Sequence, residues 1–304
     1  MLRSRNKPFV FFVLVLALAV AACGQASPTP TPTPATLPPG NETRILTVQG
    51  LERSYILHVP AGLDAGQPLP LVLVFHGFQE SGTSIRMMSG MDEAADANGF
   101  LVAYPDGTGP GRSSLSWNAD GCCGYALEND VDDEAFVRQI IADAGALAAV
   151  DPARVYAAGF SNGALLSFKL ACDMSDVFAA VAPVAGVLVT EPCQPSEPVS
   201  VIQVHGMTDT AVPYEGGQNP QAALRFPPIE ESLAVWAGLD GCSGPPQVEQ
   251  DGIITHTTYG DCQPGISVEL YALEGSGHSW PSPYITTPSM TEVIWAFFAA
   301  HPKP

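Results

Sequence analysis

The sequence predicts an α/β protein built on a doubly wound, mostly parallel sheet with helices on both faces. Two observations carry that expectation. Apolar runs of strand length, among them Leu71–Phe75, Phe100–Tyr104, Ala179–Val184 and Val199–Val204, alternate with segments of helical periodicity. Their unbroken apolarity is what strands covered on both faces require. A further run, Val155-Tyr156-Ala157-Ala158, passes through Gly159-Phe160-Ser161-Asn162-Gly163 directly into an apolar helix starting near Ala164. In such sheets the chemistry lies at the carboxyl ends of the strands.

That last junction is the organising feature. A serine on a sharp strand-to-helix turn has its hydroxyl pushed above the sheet, and glycines must flank it because backbone crowds backbone there. Asn162 then falls in the first helical turn, where its free N–H, aided by the helix dipole, can face a developing oxyanion. A Gly-x-Ser-x-Gly can also arise by chance among 29 glycines. The strand before it and the helix after it favour the turn.

Taken in order, the chain opens with Arg3, Arg5 and Lys7, then an apolar stretch from Phe9 to Ala22. This reads as a secretory signal over residues 1–22, too short in its apolar part for the roughly 20 residues of a spanning helix. Val20-Ala21-Ala22-Cys23-Gly24 resembles a bacterial lipobox, which implies cleavage before Cys23 and acylation of its thiol. The alternative is an ordinary cleaved signal with an incidental cysteine. Residues 23–41 are Pro/Thr-rich; alternating prolines disfavour helix and ladder hydrogen bonds, so an extended stalk is expected. The folded domain is then 42–304, and the chain is expected to be an extracellular, cell-surface lipoprotein.

Arg44–Val48 and Arg53–Val59 read as a hairpin, which makes His58 a strand-face residue rather than a catalyst. Leu71–Phe75 leads into His76-Gly77-Phe78. A helix spans about Ser84 to Asn98, closed by Gly99. Residues 107–130 are irregular, and a long loop in a compact domain is usually functional. Asp130-Val131-Asp132-Asp133-Glu134 opens a helix to about Val150; caps and dipole partners explain these carboxylates better than calcium does. Glu230–Leu239 is helical, Gly252–Tyr259 and Val268–Leu273 are strands, and Met290–Ala299 closes the fold.

The formal charge of −19 becomes −22 once Arg3, Arg5 and Lys7 leave with the signal. Such a surface repels nucleic acid and anionic lipid, leaving a lipid on Cys23 as the means of membrane attachment. Apart from Cys23 there are six cysteines, an even number that outside the cytoplasm points to three disulfides. Proximity favours Cys172–Cys193 and Cys242–Cys262, which leaves adjacent Cys122 and Cys123 to each other. No zinc-ligand spacing occurs, so no metal is expected.

A serine hydroxyl needs a base, and the base needs an orienting carboxylate. In the α/β-hydrolase order these follow the serine as acid, then histidine. His256 lies inside a strand pattern, His301 at the chain end, and His205 precedes the acid. His278, in the loop between the last strand and last helix, is therefore the base. Asp209, in His205-Gly206-Met207-Thr208-Asp209, follows a strand at the right place; Asp240, Asp261 and Glu274 are the competitors. The second oxyanion donor is expected from the loop after the third strand, where the N–H of Phe78 is the candidate and His76 a structural support.

His76-Gly77-Phe78, Trp117-Asn118 with Gly121-Cys122-Cys123-Gly124, Val131-Asp132-Asp133, the Gly159–Gly163 turn, His205-Gly206 with Asp209, Val212-Pro213-Tyr214 and Gly277-His278-Ser279-Trp280-Pro281 together resemble the secreted polyhydroxybutyrate depolymerase-like esterases, related to feruloyl and acetylxylan esterases of carbohydrate esterase family one. The resemblance covers roughly residues 43–300. It implies an α/β-hydrolase with a Ser161–Asp209–His278 triad, an oxyanion hole at Phe78 and Asn162, and an acyl-enzyme mechanism that needs no cofactor. The expected partner is an ester substrate, oligomeric or polymeric. Many relatives carry a small residue or cysteine where Phe78 stands, so its ring is expected to narrow the acyl site. Trp117, Tyr214 and Trp280 are candidate walls of the substrate groove. A feruloyl or acetylxylan esterase, a peptidase of similar fold, and a surface binding protein with a vestigial triad are the competing readings.

Overall fold

The computed structural model describes residues 38–63, 67–219 and 224–303. The expected signal (1–22), Cys23 and all but the last residues of the linker lie outside the described residues. The order is β1 (Gly40–Val48), β2 (Leu51–Val59), β3 (Leu69–Phe75), α1 (Gly82–Ser89), α2 (Met91–Asn98), β4 (Leu101–Pro105), α3 (Tyr125–Glu128) and α4 (Asp133–Leu147). There follow β5 (Val150–Phe160), α5 (Asn162–Asp173), β6 (Ala180–Val184), β7 (Ser200–Gly206), β8 (Gly217–Gln218), β9 (Arg225–Phe226), α6 (Ile229–Leu239), β10 (Gly244–Asp251), β11 (Ile254–Gly260), β12 (Val268–Leu273) and α7 (Met290–Ala300).

A 10-stranded sheet runs β1-β2-β4-β3-β5-β6-β7-β12-β11-β10. Neighbours from β4 to β12 are parallel, and an antiparallel pair flanks them on each side. This is the mostly parallel doubly wound sheet that the alternation of strand and helix predicts. β3 shows why its run is apolar throughout. Leu69, Leu71, Leu73 and Phe75 face the core under α4, α5 and α6, while Val72 and Val74 face the core under α1, α2 and α7.

Several boundaries differ from expectation for local reasons. β1 begins at Gly40, so the strand takes in Gly40 and Asn41 from the expected linker. The single helix expected over Ser84–Asn98 is two, broken at Gly90, whose φ of 65° is left-handed. The helix expected from Asp130 begins at Asp133, because Asp132 caps it by accepting the Ala135 N–H at 2.8 Å. β10 is an exposed edge strand whose Pro245 and Pro246 sit at a register shift between Gly244 and Gln247, so its sequence hides it. The three expected disulfides, Cys122–Cys123, Cys172–Cys193 and Cys242–Cys262, are formed. Among the described residues no helix is long and apolar enough to cross a membrane.

Asp240 ends α6 fully buried, accepting from Trp236 Nε1 at 2.9 Å and Val199 N at 3.2 Å. Burial outweighs these donors and pushes its carboxyl up to about 7. The fold therefore holds a proton that the unfolded chain releases near pH 4. The resulting stability is full below about pH 4 and falls as pH rises toward 7, by up to about 4 kcal/mol. Asp240→Asn lacks this group. Relative to the native chain, its melting midpoint should rise steadily from pH 4 to 7 and level off above that, as followed by calorimetry.

Candidate active site

β5 delivers the expected nucleophile. Ser161 sits between strand and helix at φ 54° and ψ −116°, a sparsely populated backbone conformation, held by its N–H donating to Val184 O at 3.0 Å. The glycines are dictated by contact. A Cβ on Gly159 would lie 2.1 Å from Gly163 O, and one on Gly163 would lie 2.3 Å from Phe75 O. With any larger residue, α5 cannot close onto β3 and β5.

Above this turn the chain brings together three distant side chains. His278 Nε2 lies 2.9 Å from Ser161 Oγ, and His278 Nδ1 lies 2.7 Å from Asp209 Oδ2. Nδ1 thus donates to the carboxylate, leaving Nε2 free to accept the serine proton. Asp209 follows β7; its Oδ1 accepts the N–H groups of Ala211 and Val212, both at 2.8 Å. Burial pushes its carboxyl up, but the bond from His278, the His278 charge and the Val212 N–H outweigh this and hold it below the usual range. Of the competing acids, Asp240 is committed to Trp236 and Val199 instead. His205 packs behind Asp209 with its Nε2 donating to Val212 O at 2.9 Å, and burial lowers its pKa.

The residues of the two oxyanion candidates, Phe78 and Asn162, line the same cleft as Ser161. Neither the Phe78 N–H nor the Asn162 N–H has a hydrogen-bond partner among the described residues. The Asn162 side chain is fully used: Oδ1 accepts Trp117 N at 2.8 Å, and Nδ2 donates to Cys122 O at 2.9 Å and Trp117 O at 3.2 Å. His76 fixes the Phe78 loop from below. Its Nδ1 donates to Gly77 O at 2.7 Å, and its Nε2 accepts Gly107 N at 2.9 Å. Burial pushes His76 down to about 4, so this neutral tautomer persists. The expected supporting role of His76 has this geometry.

The cleft over Ser161 encloses about 710 Å³, lined by Phe78, the Cys122–Cys123 pair, Leu127, Leu165, Val212, Leu224 and Phe226, with Glu80 and Glu128 among the polar groups. Phe78 is 42% exposed, with its ring over Gly124, where an added Cβ would lie 2.5 Å from Cε2.

None of the three aromatic residues expected as groove walls lines this cleft. Trp117 is wholly buried beneath it, its indole N–H donating to His76 O at 2.9 Å. Trp280 points inward against α7, bonded to Thr291 Oγ1 at 3.0 Å. Tyr214 is buried with its hydroxyl donating to Glu230 at 2.9 Å. The walls come instead from α3, α5 and the small β8–β9 hairpin. Leu224 and Phe226 of that hairpin, between Pro220 and Pro227-Pro228, had only their apolarity within a proline-rich stretch as a signal.

Trp117-Asn118 and Val131-Asp132-Asp133 prove to be one brace. Asp133 Oδ1 accepts Arg53 Nη2 at 2.8 Å and its Oδ2 accepts Asn118 N at 2.8 Å. Both ion-pair side chains are 2% exposed, and the guanidinium carbon sits 4.1 Å from the Phe136 ring centre.

The family model described as esterase PHB depolymerase matches residues 53–213. Feruloyl esterase B of Piromyces equi is 32% identical over 235 residues, 75% of this chain and 42% of that protein. A bifunctional acetylxylan esterase/xylanase of Neocallimastix patriciarum is 28% identical over 251 residues, 82% of this chain and 33% of that protein. The chain thus spans less than half the length of both. Among solved structures, an acetyl xylan esterase from Aspergillus awamori shares the fold, with a TM-score of 0.62 at 17% identity over 85% of this chain and 99% of the other.

Asp133→Ala leaves Arg53 buried and unpaired and frees Asn118 N. A loss of about 3–5 kcal/mol is expected in denaturant unfolding, with turnover per folded molecule falling as the Trp117 loop loosens. Arg53→Met with Asp133→Leu, which removes both charges, should recover most of that stability.

Proposed function

The chain belongs to the esterase PHB depolymerase family, and we propose that it is a serine carboxylic-ester hydrolase working through an acyl-enzyme on Ser161. The observation that carries this is the hydrogen-bonded chain Ser161–His278–Asp209, at 2.9 and 2.7 Å, opening into an apolar cleft. Ser161 Oγ attacks the ester carbonyl while His278 Nε2 takes its proton, and the tetrahedral oxyanion falls between the N–H groups of Phe78 and Asn162. His278 returns the proton to the leaving alcohol. Water then attacks the acyl group in the same way and restores the serine. Each oxyanion donor contributes about 2.7–4 kcal/mol to transition-state stability. Asp209 keeps Nδ1 protonated and stabilises the imidazolium.

The substrate reading is a short hydroxyalkanoate ester, supported by the family and the apolar lining. A feruloyl or acetylxylan ester is the second reading, supported by the relatives bearing those names. The disulfides and the residue 1–23 pattern support export and anchoring at the cell surface through Cys23. Replacing Cys23 by serine should then release the protein into the medium.

A fluorophosphonate probe should label the native protein and fail on Ser161→Ala. Asp209→Asn should lower kcat by about 10⁴-fold, following the behaviour of such triads. Unlabelled native protein would leave only a binding role. Hydroxybutyrate oligomers and methyl ferulate assayed in parallel separate the two substrate readings.

A further inference from the structure

The cleft over Ser161 carries carboxylates and no fixed cation. Glu80 and Glu128 line it, while none of the lysines and arginines among the described residues does. The places of those cations are accounted for. Arg44, Arg53, Arg86, Arg138, Arg154, Lys169 and Lys303 are each held in ion pairs. Lys169 alone serves Asp120, Glu134 and Asp173. Arg112 lines a separate depression with Asp106 and Asp130. Arg225 lines a neighbouring depression among Glu191, Glu215 and Glu231, which shares Leu224 and Phe226 with the cleft but does not include Ser161. The excess negative charge of the whole chain, −19, adds a field of the same sign.

We infer that Glu80 and Glu128 make this an anion-rejecting acyl-ester site, selecting neutral esters and discriminating against those that carry a carboxylate into the cleft. The inference rests on the ester-hydrolase reading and deepens it. The exclusion is electrostatic: the cleft's apolar lining removes water from an entering carboxylate, and no guanidinium or ammonium replaces that water. Glu80 is fixed by accepting Gly77 N at 3.0 Å, beside the Phe78 amide; Glu128 is exposed at the end of α3. For an oligomeric ester with a free acid end, that end stays outside, and scission falls at bonds remote from it. The same field expels the product, because hydrolysis turns the neutral acyl group into a carboxylate.

The test compares kcat/KM for p-nitrophenyl hexanoate with that for the p-nitrophenyl half-ester of adipic acid, which differs by a terminal carboxylate. Each is normalised to its rate with hydroxide. At low ionic strength the neutral ester should be preferred about 10-fold or more, and the preference should shrink in about 1 M salt, where the screening length drops to about 3 Å. Glu128→Lys should reduce the preference several-fold at low salt, raising half-ester kcat/KM more than hexanoate kcat/KM. Equal normalised rates at low salt overturn the inference. So does a preference that neither salt nor Glu128→Lys alters, which would make it a matter of shape. Failure of the native protein to hydrolyse hexanoate and to take the fluorophosphonate label would overturn the hydrolase reading itself, and this inference with it.

Discussion

The contact between the backbone of α5 and that of β3 sets every other distance in the site. Gly163 brings the first turn of α5 so close to Phe75 O and His76 O that a single methyl group would not fit. That approach brings Asn162 and the chain leaving β3, with Phe78, to the same cleft as Ser161. It also forces Ser161 to φ 54°, a conformation costing about 1–3 kcal/mol. The cost is met locally, since Ser161 O accepts the N–H groups of Ala164 and Leu165 at 2.9 and 3.1 Å and starts the helix. The largely buried α5, with Leu165, Leu166, Phe168 and Leu170 in the core, holds the turn in place.

The strained turn is clamped from outside as well. Asn162 spends its entire side chain on Trp117 and Cys122, and Trp117 spends its indole on His76 O. Asn118 is pinned by Asp133, and Asp133 by Arg53 from β2. A chain of buried polar contacts thus runs from the N-terminal hairpin to both proposed oxyanion donors. Burial raises the Asp133 carboxyl, so this ion pair is a costly way to add stability. Its geometry accounts for its presence better: a guanidinium and a carboxylate can each bind two partners at once. An apolar pair would fill the space without fixing the Trp117 loop.

Legibility in the sequence followed how locally each role is encoded. The turn at Ser161 was legible because its strand, its glycines and its helix are contiguous, and its hydrogen-bonded grouping with His278 and Asp209 because these follow strand ends in a fixed order. The disulfide partners were legible from proximity. The facing of large aromatics was not. Trp117, Tyr214 and Trp280 adjoin catalytic or loop residues in sequence, yet each turns its ring into the core and its polar atom to a buried acceptor. Sequence neighbourhood gives no side-chain direction in irregular segments, where neither a 2-residue nor a 3.6-residue period applies. The cleft walls Leu127, Leu224 and Phe226 come from a four-residue helix, a two-residue strand and the residue just before that strand. Elements that short leave no periodic trace.

The histidines show how the fold leaves only one of six imidazoles placed to act as the proposed base. His58 is bound to Asp96 of α2 and His256 to Glu269 of β12, and His301 donates to the last turn of α7 through Phe297 O. His76 and His205 lie near the reacting groups, but burial lowers both, and each has already committed a ring nitrogen to a backbone carbonyl. Either would have to carry a charge away from water to take a proton, and His76 would also have to give up the bond from Gly107 N. His278 differs because its loop leaves it partly exposed, 23% at the side chain, while its partner Asp209 is wholly covered. A base must gain and lose its proton within one turnover, so it needs a fixed carboxylate on one nitrogen and an open approach on the other. The loop after β12 meets both conditions. The buried strand ends, where His76 and His205 stand, leave no open approach.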